Sequence, residues 1–181
     1  MQSQPDQVLS FWFEEITPKQ WWEKSADFDR ALAQRFGALH QAAARAELFA
    51  WRLTARGRLA EIIVLDQFSR NIYRDQALAF SCDPMALVLA QTAIAVKDDM
   101  LLSIKERAFL YMPFMHSESK QIHEHAVVLF DQPGLQDTLK FELKHKEIID
   151  RFGRYPHRNA ALDRPSTDEE CAFLQTPGSS F

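Results

Sequence analysis

The sequence predicts an all-α protein, built as a single domain from antiparallel helical hairpins. Three observations support this fold class: helix-start signals recur along the chain, the connections between apolar segments are short, and only 5 of the 181 residues are glycine. Few glycines disfavour the turn-dense all-β classes, and short connections place neighbouring helices antiparallel. A hydrophobic fraction of 46% excludes disorder as the general state of the chain.

The helix starts are marked by capping residues. Thr17, Ser103 and Thr167 each begin a capping box, because a Glu or Gln follows each hydroxyl three residues later. The Asp83-Pro84 pair is a cap followed by a proline at the first helical position. The sequence thus predicts eight helices, over Gln4–Glu14, Ser25–Phe49, Thr54–Arg70, Pro84–Val96, Ile104–Met112, Ser117–Phe130, Gln136–Phe152 and Asp168–Leu174.

The third of these helices, Thr54–Arg70, is apolar on nearly every side, which is typical of a central helix. Asp66 shares the helical spacing of its apolar residues, so a carboxylate is expected on a buried face. Arg70 follows four residues later and is placed to pair with that carboxylate. Pro113 is expected to end or kink the fifth helix, since proline lacks the N–H that the helix interior requires.

The bulk composition excludes several classes of partner and cofactor. The formal charge is -4, so no overall basic field attracts nucleic acid or an anionic membrane. We expect no signal peptide and no apolar stretch of 18 residues, which favours a cytoplasmic protein that does not enter membranes. The two cysteines have no metal-ligand spacing, and no Gly-rich phosphate loop occurs, so neither a metal ion nor a cofactor is predicted.

Two polar segments repeat one pattern, in which an Arg-Asn pair follows an aromatic residue. The first Arg-Asn segment is 66–71 and the second is 154–159. Arginine carries a permanent charge with a fork of donors, and asparagine offers a donor and an acceptor. If the segments converge, they can hold a small anionic molecule or a peptide carboxylate. The candidate ligand-binding residues are Asp66, Arg70, Asn71, Arg74, Arg154, Arg158 and Asn159.

Two alternatives stay open beside this binding-module hypothesis. In an enzyme of the hydrolase type, His116 or His157 would act as general acid/base, with Glu118 or Asp66 orienting it. In a scaffold, the same polar residues would brace the helices, with Asn71 as a left-handed helix cap, and the protein would act through its outer surface. The sequence indicates neither the ligand nor the oligomeric state.

Five motifs together resemble the bacterial family named domain of unknown function 924. They are the segment 11–13, the segments 65–74 and 111–118, His145 with the segment 151–159, and the segment 164–170. The resemblance covers nearly the whole chain. It implies an all-α fold similar to tetratricopeptide-repeat domains, and it implies no known activity.

The chain departs from this family pattern at three positions. The family usually has a glycine where this chain has Asp75 and Asp163, and a glutamine where it has His123. None of these departures changes the two Arg-Asn segments. Because of the third departure, His123 carries no predicted role.

Overall fold

The structure is a computed structural model that describes residues 4–179, and in that range it contains helices and turns but no β-strand. The all-α prediction is therefore confirmed. The α-helices are α1 (Gln4–Ser10), α2 (Ala26–Ala44), α3 (Ala55–Ile63), α4 (Ser69–Ile72), α5 (Asp83–Ala95), α6 (Ile104–Met115), α7 (Lys120–Phe130), α8 (Gln136–Phe152) and α9 (Asp168–Leu174). Two π-helical turns, Phe11–Glu15 and Val64–Phe68, continue α1 and α3.

Contacts group the described chain into two compact units. The first unit covers 4–74 and 78–113, and the second covers 75–77 and 114–179. The tetratricopeptide-like stacking and the single domain stay predictions.

The core of the first unit surrounds α3 and its π-helical continuation. Every residue from Leu59 to Ser69 is buried, which fits the prediction of a central helix. α3 packs against α1 on one side and α5 on another. Gly57 lets the preceding turn approach closely, because a Cβ added there would lie 2.0 Å from the Trp51 carbonyl oxygen.

The core of the second unit forms between α8 and the segment that follows it. Ile148, Ile149 and Tyr155 are buried together, and Phe152 and Phe173 pack against them. α7 and α8 pack against each other across a short connection, as expected for a helical hairpin. Gly153 ends α8 with a φ of 70°, the left-handed conformation in which glycine costs least.

The helix bounds agree with the prediction most closely near the end of the chain. α8 and α9 have the predicted bounds. The predicted helix Ser25–Phe49 is too long, because the chain turns at Ala46, whose φ is 58°. The fifth predicted helix was expected to end or kink at Pro113; α6 does not end there but continues to Met115, and the kink stays a prediction. Phe114 and Met115 are buried, and their packing outweighs the lost backbone hydrogen bond.

The expectation that the chain has no apolar stretch of 18 residues is contradicted by one segment. The segment Ala77–Ala95 reaches a mean hydropathy of 1.5 over 18 residues, enough by composition and length alone for a membrane span. Part of it, α5, packs against α3 through Ala86, Leu89, Ala90 and Ala93. A packed helix of a folded unit passes the same test as a membrane span.

Candidate functional site

The first Arg-Asn segment begins inside the π-helical turn Val64–Phe68 and ends in α4. Such turns are rare and occur frequently at functional sites. The turn buries the side chains of Asp66 and Gln67 together, and the Gln67 amide donates to Asp66 Oδ2 at 2.5 Å. Sequence periodicity did not reveal this turn, because a π-turn and an α-helix have similar apolar patterns here.

Arg70 is bound by two carboxylates. Its Nη1 lies 3.1 Å from Asp66 Oδ1, which confirms the predicted pair. The guanidinium also donates hydrogen bonds from its two terminal nitrogens to the two oxygens of Asp83, at 2.9 Å each. Asp83 was predicted to cap α5, but Cys82 takes the cap position. The Asp83 carboxylate instead gives the buried end of the first segment a second negative charge.

Arg74 is held in the same way by a carboxylate from another helix. Its Nε and Nη2 donate to the two oxygens of Asp29 in α2, at 2.6 and 2.8 Å. Its Nη2 also donates to Asn71 Oδ1 at 2.9 Å, and the Asn71 amide donates to the Gln67 carbonyl at 3.0 Å. Asn71 is therefore a helical residue and not the left-handed cap that the scaffold alternative expected.

A buried histidine lies beside the first segment. Ser69 Oγ donates to the Leu65 carbonyl at 2.5 Å, so His40 Nε2 donates to Ser69 Oγ at 2.7 Å. Burial lowers the pKa of His40. This histidine is a neutral hydrogen-bond donor between α2 and α4.

Glu170 is the hub of the second Arg-Asn segment. Its two oxygens accept from Arg154 Nε and Nη2 at 2.6 and 2.7 Å. It also accepts from the Thr167 backbone in the predicted capping box, at 2.8 Å, and from Asn159 Nδ2 at 3.3 Å. These bonds, that from Arg154 above all, lower the pKa of Glu170 to about 2. The carboxylate thus joins α9 to the segment that follows α8.

Arg158 is buried, although it is an arginine in a loop. Its Nη2 donates to the His116 carbonyl at 2.9 Å, and its guanidinium carbon lies 4.5 Å from the centre of the Tyr155 ring. A cation over an aromatic face is favourable, more so away from water. His157 packs on the same tyrosine, with the ring centres 5.5 Å apart.

Glu118 binds the arginine that follows the second segment. Arg164 donates to both Glu118 oxygens, at 2.6 and 2.9 Å, and the Tyr155 backbone donates to Oε1 at 2.8 Å. Burial raises the pKa of Glu118, but the hydrogen bonds from Arg164 and Tyr155 hold it below its usual value. Arg164 Nε also donates to Asn159 at 3.0 Å. The catalytic roles of His116, Glu118 and His157 stay predictions.

A second buried group in this unit was missed by sequence reasoning. His123 Nδ1 lies 2.6 Å from Glu142 Oε1, and His123 Nε2 donates to the Ser117 carbonyl at 2.9 Å. Both side chains are fully buried, and burial raises the pKa of Glu142. The hydrogen bond from His123 opposes that rise without cancelling it. The signal was present, since Glu142 precedes Ile149 by seven residues on the inward stripe of α8.

His145 completes the buried polar group around Tyr155. Its Nδ1 donates to the Phe141 carbonyl at 2.8 Å, and its ring centre lies 5.7 Å from that of Tyr155. Burial lowers its pKa to about 3. His145 is therefore neutral in the folded protein near neutral pH.

The predicted ligand-binding residues do not all belong to one unit. Those of the first segment lie in the first unit and those of the second segment in the second, and the bonds described above stay within each unit. Within residues 4–179, no group of three or more His, Cys, Asp or Glu is placed to hold a metal ion. The second unit has a cavity of about 240 Å³, and none of the seven predicted ligand-binding residues lines it. Its lining residues are Lys144, Glu147, Ile148, Arg151, Phe152, Phe173, Pro177 and Gly178.

Comparisons with known proteins agree with this fold. A family model described as "Bacterial protein of unknown function (DUF924)" matches residues 8–178. A solved protein of unknown function, ATU0120 from Agrobacterium tumefaciens, is 37% identical, with a TM-score of 0.89. The match covers 94% of this chain and 96% of that one. No curated protein gives a significant match.

Proposed function

The chain belongs to the bacterial family of unknown function DUF924, and we propose that it works as a binding or scaffold module whose two Arg-Asn segments brace the helices. In this proposal the outer surface makes the functional contact, with another protein as partner. The observation that supports it most strongly is that three of the predicted ligand-binding arginines are already paired with carboxylates of the same chain. Arg70, Arg74 and Arg154 each already bind an internal carboxylate through two donors.

Bidentate arginine–carboxylate pairs of this kind are among the stronger hydrogen-bonded contacts in proteins. An anionic ligand at these arginines would have to displace Asp83, Asp29 or Glu170, which are parts of packed helices. For Glu170, the most deeply buried of these carboxylates, loss of one partner of the pair costs about 3–5 kcal/mol of folding stability. The bracing role therefore has more support than the anion-binding role of the same residues.

The test is the melting temperature of Arg158→Ala, measured without added ligand. The variant loses the hydrogen bond to the His116 carbonyl and the contact with the Tyr155 ring. We expect a loss of about 2 kcal/mol or more, which is a drop of at least about 4 °C for a chain of this size. Arg30→Ala is the matched control, because Arg30 pairs with Asp27 on the exposed surface and should change little.

A neutral or raised melting temperature for Arg158→Ala would contradict the bracing role. It would mean that Arg158 is held in place for a ligand, since functional sites often sacrifice stability. Inorganic phosphate then becomes the probe: if it raises the melting temperature of wild type but not of Arg158→Ala, the second segment is an anion site. A braced fold predicts the same response to phosphate in both proteins.

A further inference from the structure

The cavity of about 240 Å³ in the second unit is formed by one face of α8 together with α9 and the turn that follows it. The residues of α8 that line it recur at the spacing of a single helix face: Lys144, Glu147, Ile148, Arg151 and Phe152. Sites for drug-sized ligands usually measure about 300–1,000 Å³, so this cavity suits a molecule no larger than a single amino acid. None of the described residues that line it belongs to the two Arg-Asn segments.

Part of this cavity is apolar. Ile148 is buried, and the rings of Phe152 and Phe173 are partly exposed, with their centres 5.0 Å apart. Partly exposed rings beside an open cavity leave apolar surface in contact with water, and an apolar group that enters the cavity removes this surface from water. Aromatic rings also make favourable offset or edge contacts with a further ring. We therefore expect a ligand of this cavity to carry one large apolar group.

The rest of the cavity is charged, and its charges lack the ion pairs found elsewhere on α8. The other lysines of this helix bind carboxylates in the pairs Lys140–Asp137, Lys146–Glu124 and Lys146–Asp150. Glu147 lies three residues after Lys144 and four before Arg151, the spacings at which opposite charges pair on a helix. Within residues 4–179, however, neither Lys144 nor Glu147 forms an ion pair.

Arg151 connects the charged part of the cavity to the apolar part. Its guanidinium carbon lies 4.7 Å from the centre of the Phe152 ring and 5.8 Å from that of Phe173. Its Nε donates to Glu169 in α9 at 2.8 Å, and its two terminal nitrogens donate to no acceptor in the described part of the chain. A fork of two such donors matches a carboxylate. Arg151 thus offers an anion site directly beside the rings.

We propose that this cavity binds a free α-amino acid with a large apolar side chain. Arg151 binds the α-carboxylate, Glu147 binds the α-ammonium group, and the side chain packs on Phe152 and Phe173. Arg151 and Glu147 lie about 6 Å apart along the helix axis, so a molecule with both charges on one carbon reaches both. A plain carboxylate is repelled by Glu147, and a plain amine is repelled by Arg151. This site goes beyond the proposed scaffold function and does not depend on it.

The end of a peptide is the competing occupant, since it also presents a charge beside a side chain. A C-terminal residue has a carboxylate but no ammonium group, and an N-terminal residue has the reverse. Either end leaves one of the two charges, Glu147 or Arg151, without a partner. The opposite charges on one wall of the cavity therefore favour the free amino acid.

The first experiment is an NMR titration of the full, isotope-labelled chain with L-phenylalanine, in which the amide signals of Ile148 and Gly178 report on the cavity. We expect both signals to shift, with a Kd on the order of 1 mM for so small a ligand. Phenylpropionate lacks the ammonium group and L-phenylalaninamide lacks the carboxylate. Each should bind about threefold to fivefold more weakly, because one partly exposed ion pair is lost. L-Alanine, which lacks the ring, should shift neither signal.

Three outcomes of this titration overturn the proposal. The first is that L-phenylalanine shifts neither signal. The second is that L-alanine binds as well as L-phenylalanine, which would remove the role of the two rings. The third is that phenylpropionate or L-phenylalaninamide binds as tightly as L-phenylalanine, which would identify a peptide end as the occupant.

Charge variants test the two assigned roles. Arg151→Gln should weaken binding of L-phenylalanine about fivefold with little change in melting temperature, because its pair with Glu169 is exposed. Glu147→Gln should also weaken binding of L-phenylalanine, yet it should strengthen binding of phenylpropionate about twofold, because a repulsion is removed. Lys140→Gln is the matched control, since Lys140 carries the same charge as Arg151 on α8 but lies outside the cavity, and it should change neither affinity.

Two results with these variants would contradict the assignment. Equal losses in Lys140→Gln and Arg151→Gln would mean that the general charge of the helix, and not Arg151, attracts the ligand. A change of the same sign for both ligands in Glu147→Gln would mean that Glu147 does not bind the ammonium group. Neither result alters the melting temperature of Arg158→Ala, so this proposal and the bracing role fail independently.

Discussion

The two Arg-Asn segments end in the same pair of residues but stabilise their units in different ways. In the first, the side chains project from a continuous helix, and carboxylates from α2 and α5 bind Arg74 and Arg70. In the second, the chain has left α8, and one carboxylate, Glu170, joins Arg154, Asn159 and the start of α9.

The difference is between distributed and concentrated bracing. Arg70 of the first segment and the nearby Arg74 bind three carboxylates, those of Asp66, Asp83 and Asp29. No single carboxylate therefore holds both arginines. The second segment gathers four hydrogen bonds on Glu170, while Glu118 accepts one from the Tyr155 backbone of the same segment. A loop has no backbone hydrogen-bond ladder of its own, so its backbone and side chains need partners from neighbouring elements.

The largest effect that this comparison predicts is for Glu170→Ala. Because Glu170 is buried and holds Arg154 and the α9 cap, we expect a loss of about 3–5 kcal/mol. Asp29→Ala removes one partly exposed pair of the first segment and should cost about 1–2 kcal/mol. Thermal melts followed by circular dichroism measure both variants. Asp137→Ala, at an exposed pair with Lys140, is the control and should be near neutral. Equal losses at Glu170 and Asp29 would refute the concentrated-bracing account.

The next effect is a pH dependence that the buried His145 confers on the second unit. In the folded state the pKa of His145 is depressed to about 3, whereas in the unfolded chain it is near its ordinary value of about 6.5. The stability contributed by neutral His145 is therefore present above pH 6.5 and is lost as pH falls toward 3. We expect the melting temperature to fall by several degrees, roughly 5 °C or more, between pH 6.5 and pH 4.

His145→Asn isolates this contribution, since the asparagine amide nitrogen takes the position of Nδ1 toward the Phe141 carbonyl but does not titrate. The slope between pH 6.5 and 4 should decrease in this variant. His40→Gln beside the first segment should change the slope in the same direction, because burial also lowers the pKa of His40. Parallel slopes for wild type and His145→Asn would show that His145 does not carry the acid sensitivity.

The smallest predicted effect concerns the turns that follow the two segments. Asp75 follows Arg74 with a φ of 63°, and Asp163 precedes Arg164 with a φ of 51°. Non-glycine residues are strained in this left-handed region. Asp75→Gly and Asp163→Gly should each raise the melting temperature by about 1–2 °C, because relief of strain slightly exceeds the entropy that glycine adds to the unfolded chain.

Asp131→Gly is the matched control for this pair. Asp131 ends α7 with a φ of -80°, so glycine relieves no left-handed strain there. It should lower the melting temperature slightly, by the entropic term alone. A drop in all three variants would mean that the aspartate side chains, and not the backbone angles, stabilise the turns.

The sequence predicted those parts of the fold that depend on local chemistry. Hydroxyl caps at Ser103 and Thr167 mark their helices correctly, because a capping box is satisfied within four residues. The Asp66–Arg70 pair was also predictable, since helical spacing alone brings the two together. The resemblance implied a glycine at the positions of Asp75 and Asp163, and both residues have a left-handed backbone.

The partners of the candidate site could not be predicted in this way. Asp29 lies 45 residues from Arg74, and Glu118 lies 46 residues from Arg164. No local rule selects one carboxylate among the 25 Asp and Glu residues of the chain. The π-helical turn at Val64–Phe68 was likewise not predicted, because its apolar pattern resembles that of an α-helix.

The π-helical turn has a consequence for how this chain can change over evolutionary time. Such a turn is equivalent to one residue inserted into an α-helix, and one residue corresponds to a rotation of about 100°. A single deletion or insertion between Leu59 and Phe68 would turn Arg70 and Arg74 away from Asp83 and Asp29. Substitutions can accumulate in this helix, but its length is fixed, and changes in length must fall in the connections.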